Sequence, residues 1–269
     1  MIINIDGVDI THPNRVMFEC GVTKLDIVRY YQQVWKKMLP FVKNRPVTLL
    51  RSPHGLKDGA FYQRHPQENF PEYIDRVKVY TSEWYNTYIA IDELKDVLFL
   101  VNLGVIEFHT WACRQQSLDI IDYGVFDLDP GEDVSFKDIV KLAQRLKELV
   151  DSDYKVHFSK ILVKTSGKKG LHLMLYFKKK LFWAEGKRII KEVAQRIVDK
   201  YPNLYTIDVR KNKRKGKIFI DYLRNYKGST TVAPYSLRAW DCASISMPVK
   251  WSELPTLSSA DQFNIHYIF

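Results

Sequence analysis

Apolar and polar positions change period many times along this chain, and each change marks an element. Residues 1–10 alternate, as Ile3-Asn4-Ile5-Asp6-Gly7-Val8-Asp9-Ile10, which predicts a hairpin closed by Asp6-Gly7. From Thr23 to about Leu39 the spacing becomes helical, with Leu25, Val28, Tyr31, Trp35, Met38 and Leu39 apolar, Thr23 placed as the cap and Pro40 as the stop. Val47–Leu50 reads as a short strand before the loop Ser52-Pro53-His54-Gly55, residues 84–91 as strand, Leu94–Leu103 as a helix stopped by Gly104, and Val105–Trp111 as an alternating strand. Beyond a strand at 125–130, Ser135 opens an amphipathic helix to about Val150, with Asp138 in the capping-box place of Glu or Gln. Val156–Thr165 and Leu171–Phe177 read as strands about the turn Ser166-Gly167-Lys168-Lys169-Gly170, followed by a helix over Trp183–Lys200 and a strand over Lys217–Leu223. No linker, repeat or low-complexity tract interrupts this order. It predicts one continuous α/β unit, with two lobes facing a cleft as a variant.

Within that pattern the segment Val125-Phe126-Asp127-Leu128-Asp129-Pro130-Gly131 is unusual. Side chains at i and i+2 of a strand share a face, roughly 6.5–7 Å apart along the chain. Asp127 and Asp129 therefore stand side by side while Val125, Phe126 and Leu128 anchor the strand. Two carboxylates that close repel, and the usual relief is a divalent cation or a shared proton. A plain strand end at Asp-Pro-Gly is the alternative. Ile218-Phe219-Ile220-Asp221-Tyr222-Leu223 sets another acid in an apolar strand, costly unless it is hydrogen-bonded or binds metal. Together the three aspartates could form a site for two hard cations of the kind phosphoryl transfer uses.

Three basic features accompany the acids. In Thr165-Ser166-Gly167-Lys168-Lys169-Gly170-Leu171-His172, adjacent glycine amides with the Ser, Lys and His side chains can cradle an anion, or the segment is a simple hairpin turn; the Walker spacing is absent. Arg210-Lys211-Asn212-Lys213-Arg214-Lys215-Gly216-Lys217 holds six basic residues among eight, suited to a nucleic-acid backbone or a triphosphate, or else a solvated loop. Arg224 and Arg238 are second-rank phosphate binders. Phe61 and Tyr62, ahead of Arg64 and His65, could stack on a base, or Phe61 could enter the core. His109 shares a strand face with Trp111 and is either a satisfied core histidine or close to the site.

Composition narrows the partner. A net charge of +10 favours a polyanion, whether nucleic acid, an anionic membrane surface or a triphosphate, and 13% aromatic residues leave rings for base stacking. Cys20, Cys113 and Cys242 are widely spaced and match no zinc pattern, the N-terminus has no basic n-region, and no apolar run nears the ~18 residues of a membrane helix. These features lead to the expectation of a reduced, cytoplasmic or nucleoid-associated protein.

In this order, Val-Phe-Asp-Leu-Asp-Pro-Gly (125–131), Lys-Thr-Ser-Gly-Lys-Lys-Gly-Leu-His (164–172), Ile-Phe-Ile-Asp-Tyr-Leu-Arg-Asn (218–225) and Thr-Val-Ala-Pro-Tyr-Ser-Leu-Arg (231–238) resemble the polymerase domain of bacterial DNA ligase D, in the archaeo-eukaryotic primase superfamily. The resemblance extends to Thr-Lys-Leu-Asp-Ile-Val-Arg-Tyr-Tyr (23–31), Arg-Pro-Val-Thr-Leu (45–49), Phe-Tyr-Gln-Arg (61–64) and Phe-His-Thr-Trp (108–111), and so covers nearly the whole chain. It implies an α/β (α+β) primase-like fold, with mixed and antiparallel sheets around a central cleft flanked by helices. A single domain over 1–269 is expected, with an N-terminal lobe of about 1–120, catalytic motifs over 125–238, and no ligase or nuclease domain. The implied activity is template-dependent nucleotidyl transfer at gaps and ends of DNA in non-homologous end joining. It would use two manganese (or magnesium) ions, favour ribonucleotides over deoxyribonucleotides, and have Ku and a DNA ligase as partners, with no membrane.

Carried onto this sequence, the resemblance makes Asp127, Asp129 and Asp221 the metal ligands. Ser166, Lys169, His172 and Arg238 would touch the incoming triphosphate with Arg214 nearby, Phe61 and Tyr62 would stack on a base, His109 would belong to the nucleotide site, and Arg15 and Lys24 would recognise a 5′-phosphate. Arg15 stands where the family usually has lysine, Tyr62 where it has phenylalanine, and Leu50 where a basic residue is common, which could weaken one phosphate or template contact. The chain stops at Phe269 inside what resembles the start of the family's final segment, as a stand-alone polymerase or an excised domain would. A primase starting chains de novo and a non-catalytic end-binding protein are the competing readings. A two-metal nuclease leaves the glycine-lysine turn without a role.

Overall fold

The computed structural model describes residues 1–80 and 84–267; Phe269, where the resemblance puts the start of a final segment, lies outside them. The chain divides into two compact units, the first made of 1–116, 232–246 and 263–269 and the second of 117–231 and 247–262. The first unit thus includes the segment carrying Arg238 as well as residues 1–116.

In the first unit, β1 (Ile2–Ile5) and β2 (Val8–Thr11) form the expected hairpin, with Asp6 and Gly7 both at positive φ, the pair of values a tight primed turn needs. Helix α1 (Lys24–Val42) starts from a full capping box, Thr23 accepting from the Asp26 amide and Asp26 accepting from the Thr23 amide at 2.8 Å. It runs through Pro40 rather than stopping there. Proline forfeits one helical hydrogen bond, yet Val42 is fully buried and Lys43 donates to the Leu39 carbonyl at 2.9 Å, so packing carries the last turn past it.

Strand β3 (Arg45–Arg51) is buried throughout because neighbours flank it on both edges. Strand β4 (Phe61–Gln63) pairs with its end, and β5 (Arg76–Tyr80), β6 (Tyr85–Ile91) and, after α2 (Leu94–Asn102), β7 (Val105–Trp111) complete the order β7-β3-β6-β5. β4 and β5 are not legible in the sequence: the first is three residues long, and the second follows the irregular stretch holding Pro66 and Pro71. The cysteine expectation needs correction here. Cys20 and Cys242 are joined by a disulfide spanning 222 residues, and Cys113 is a buried residue outside any disulfide.

The second unit is a sheet with two helices. Strand β8 (Ile120–Pro130) is followed by α3 (Phe136–Leu149), which continues into a π-type turn over Val150–Tyr154. Next come β9 (Phe158–Thr165), β10 (Leu171–Phe182), α4 (Trp183–Lys200), β11 (Tyr205–Thr206) and β12 (Ile218–Asp221). The chain passes back at β13 (Thr230–Val232), and β14 (Pro248–Val249) completes the order β11-β12-β8-β10-β9-β14. All neighbours are antiparallel except β11 and β12. Both helices bury apolar stripes at three- and four-residue spacing, Ile139, Leu142, Ala143 and Leu146 on α3 and Ile189, Ile190, Val193 and Ile197 on α4. Gly124 on β8 admits Ile190, since a Cβ there would lie 2.3 Å from the isoleucine side chain. Alternation then turns Gly124, Phe126 and Leu128 toward the helices and Val125, Asp127 and Asp129 to the opposite face. The architecture is α+β with four α-helices among the described residues, as expected from the sequence. No helix among them is long and apolar enough to cross a membrane.

Candidate active site

The register of the second sheet lines up chemistry from four strands. Asp221 of β12 pairs with Asp127 of β8, Asp127 pairs with His172 of β10, and His172 pairs with Lys164 of β9. Directly paired residues share a face, so this rung runs carboxylate, carboxylate, imidazole, ammonium. Contacts follow it: His172 Nε2 lies 3.2 Å from Asp127 Oδ1, and Lys164 Nζ lies 2.9 Å from His172 Nδ1. An ammonium can only donate, so Nδ1 accepts from Lys164 and the proton on Nε2 points at Asp127. Lys164 is completely buried. A lysine at the end of the apolar run Ile161-Leu162-Val163 carries the same cost of burial as Asp221, and that cost is the signal in the sequence that marks it.

Asp129 stands two residues along β8 on the same face, opposite Phe219. Its carboxyl is pushed up to about 7, first by burial and then by the charges of Asp127 and Asp221. Burial alone would also raise Asp127, but His172, Arg224 and Lys164 outweigh it and hold that carboxyl at about 2. Asp221 is raised by burial; its Oδ1 accepts from the Leu223 amide at 2.8 Å and its Oδ2 lies 3.4 Å from Arg224 Nε. Asn225 clamps this segment to β8, accepting from the Val125 amide at 2.7 Å and donating to the Val125 carbonyl at 2.8 Å.

Three hard oxygen donors on one face, carrying more negative charge than they can hold ionised, fit a divalent cation. Among the described residues, however, no group of three or more His, Cys, Asp or Glu side chains is already gathered as a metal cluster. Asp127 is directed to His172, and Asp221 to Leu223 and Arg224, so a cation must compete with these partners.

The β9–β10 turn lies beside the rung. Ser166 Oγ accepts from the Lys168 and Gly170 amides at 3.1 and 3.0 Å, folding the turn about its hydroxyl, while Lys169 projects into solvent. Gly170 is obligatory: a Cβ there would stand 2.1 Å from the Leu128 carbonyl oxygen, between the two aspartates. Gly131 is equally tight, 2.2 Å from the Arg214 carbonyl oxygen, and its amide donates to Lys217. The basic run is thereby anchored at the end of β8. Arg214 lies over Phe219 at 3.5 Å and donates to the Asp208 and Val209 carbonyls.

The first unit holds the remaining predicted residues. Phe61 and Tyr62 are 50% and 62% exposed, which rules out the core alternative for Phe61; Arg51 lies 5.5 Å from its ring. Tyr62 meets His109 edge to face at 5.8 Å. The buried Glu107, also unflagged by the sequence reading, joins His109 to Arg238: its Oε2 accepts from His109 Nε2 at 2.7 Å and from Arg238 Nε at 3.1 Å. Lys24 is buried, with Nζ donating to the Thr11 and Asn102 carbonyls at 2.8 Å each, and burial aided by Arg15 lowers it to about 8. Arg15 donates to the Pro53 carbonyl at 2.5 Å. A cavity of about 590 Å³ lined by Arg145, Glu148, Arg196 and Tyr201 contains none of the predicted site residues.

Comparison with known proteins identifies the family. Residues 23–269 match the family model of the LigD primase-polymerase domain. The multifunctional non-homologous end joining protein LigD of Pseudomonas aeruginosa is 31% identical over 260 residues, 96% of this chain and 30% of that protein. Its Mycolicibacterium smegmatis counterpart is 30% identical over 253 residues, 93% and 32% respectively. The chain thus spans about a third of the length of these relatives. Among solved structures, the polymerase domain of Mycobacterium tuberculosis ligase D in complex with DNA superposes with a TM-score of 0.88 at 28% identity, covering 97% of this chain and 92% of that one. The chain belongs to the LigD primase-polymerase domain family, a family of nucleotidyltransferases.

Proposed function

We propose that this chain is a template-dependent polymerase that adds nucleotides, preferably ribonucleotides, to 3′-ends at gaps and breaks bearing a 5′-phosphate, in non-homologous end joining. The observation that carries this reading is the rung of Asp221, Asp127, His172 and Lys164, with Asp129 beside it and the β9–β10 turn at its edge. Two divalent cations, manganese or magnesium, held by Asp127, Asp129 and Asp221, would supply Lewis-acid activation of the primer 3′-hydroxyl and neutralisation of the leaving pyrophosphate.

The protein's own groups do the rest. His172 carries an Nε2 proton, fixed by Lys164, that faces Asp127 in this structure and would have to turn from that carboxylate to donate to a triphosphate oxygen. Ser166 keeps the turn amides in place, and Lys169, Arg214 and Arg238 add positive charge where it is needed as the pyrophosphate leaves. Phe61 and Tyr62, half exposed and adjacent, suit stacking on a base. Arg15 and Lys24 are assigned to the 5′-phosphate, Lys24 exchanging carbonyl partners for it. The net charge of +10 favours the DNA backbone. Ku and a DNA ligase are the expected partners, and the nucleoid in the cytoplasm the place of work.

Extension of a gapped, 5′-phosphorylated duplex with labelled ribo- and deoxyribonucleotides, in manganese and in magnesium, tests the reading. Templated addition favouring ribonucleotides supports it. Binding to the ends with no metal-dependent incorporation in either series would replace it with an end-binding role.

A further inference from the structure

Glu107 performs none of the chemistry above, yet it is fully buried with both carboxylate oxygens engaged. It sits on β7 with no solvent exposure, in register with Leu50 of β3, which in turn pairs with Tyr62 of β4. Both carboxylate oxygens are engaged: Oε1 accepts from the Ala239 amide at 2.7 Å, and Oε2 takes His109 Nε2 at 2.7 Å together with Arg238 Nε at 3.1 Å. Burying an acid in an apolar strand is costly, and three charge-assisted or backbone donors offset that cost only if all are made together.

The geometry matters for what projects outward. A guanidinium is planar, so fixing its Nε and the backbone of the next residue fixes the plane in which its two terminal nitrogens reach a phosphate. A carboxylate at Nε2 likewise makes that nitrogen the donor and sets the His109 ring, whose edge-to-face contact with Tyr62 fixes the second member of the aromatic pair. One carboxylate therefore holds, on one side, the arginine assigned to the triphosphate and, on the other, the support of the ring assigned to the base.

We propose that Glu107 is a positioning residue that couples Arg238 to the His109–Tyr62 pair, so that triphosphate and base contacts are set as one unit. The proposal rests on the nucleotide reading of this site. Glu107 never touches the nucleotide; its effect appears through the two side chains it orients.

The test uses equilibrium binding of ATP in manganese and steady-state ATP incorporation on the gapped duplex, for the full chain and the variants Glu107→Gln, Arg238→Gln and the double substitution. Glu107→Gln keeps the volume but turns one acceptor into a donor facing existing donors. It is expected to weaken ATP binding and raise KM about tenfold, with kcat at saturation falling less than threefold. The double variant is expected to match Arg238→Gln within about twofold, because removing either partner breaks the same unit. A merely structural role would lower the active fraction, hence kcat, and leave KM unchanged. If Glu107→Gln does not fold, Glu107→Asp, which withdraws the carboxylate by one methylene, is expected to give the same KM-weighted defect in smaller measure. Wild-type KM in a folded Glu107 variant, or independent, multiplicative effects in the double variant, would overturn the proposal alone. A wild-type chain with no ATP affinity would overturn the nucleotide reading and this proposal with it.

Discussion

Replacing Asp129 by Asn should stabilise the metal-free protein while destroying its activity. In the folded chain burial and the neighbouring Asp127 and Asp221 move the Asp129 carboxyl from 3.8 to about 7. For a dry group a shift of about three units corresponds to roughly 4 kcal/mol. The Asp129 carboxyl is crowded by Asp127 and Asp221, but a good part of the residue's surface stays in solvent, which screens most of that and leaves on the order of 1 kcal/mol. The sign follows from the raised value. Below about pH 4 the carboxyl is protonated folded and unfolded, and the substitution is silent. Between about pH 4 and 7 the unfolded chain ionises first, so the wild type loses stability from this group as pH rises, and above about pH 7 the loss is complete. Thermal unfolding in EDTA should therefore show little difference between Asp129→Asn and wild type near pH 4, and the variant melting about 2–4 °C higher at pH 8. Manganese should raise the wild-type midpoint more than the variant's. A variant less stable than wild type at pH 8, or an offset independent of pH, would refute the electrostatic account of the site.

Three further perturbations probe other links. Gly170→Ala forces a methyl against the Leu128 carbonyl, and overpacking of this kind costs about 1–3 kcal/mol or more; a lowered urea midpoint together with lost extension is expected, and an unchanged midpoint would contradict it. Lys164→Met removes the ammonium from His172 Nδ1; steady-state kinetics should show incorporation reduced at least about tenfold with a higher KM for nucleotide, in the range of a charged hydrogen bond, whereas wild-type kinetics would remove Lys164 from the site. Cys20→Ser opens a link spanning 222 residues, for which chain entropy allows up to about 5 kcal/mol; dithiothreitol should lower the wild-type melting temperature toward the variant's and leave the variant unchanged.

What could be read from the sequence was local. The caps at Thr23 and Ser135, the Asp6-Gly7 hairpin and the helix Trp183–Lys200 all emerge where local pattern places them, because turn chemistry and helical spacing are written in adjacent residues. Asp127, Asp129 and Asp221 were recognisable as acids in apolar strands. Their alignment was not, because register depends on which strands pair, and Asp221 meets Asp127 only through a chain reversal of 94 residues (221 − 127). Lys164 and Glu107 escaped for a related reason. Each lies in an apolar strand, and only the cross-strand partner distinguishes a buried charge at work from a strand edge in solvent. Pro40 and the Cys20–Cys242 pair were misjudged by local rules that packing and a 222-residue closure override.

The central claim is that the aspartate rung is a catalytic metal site rather than an acidic strand end. Asp127→Ala decides it, with primer extension on a gapped, 5′-phosphorylated duplex measured beside affinity for the same DNA. The account predicts that extension in manganese disappears while DNA affinity is kept; extension retained by the folded variant would contradict it.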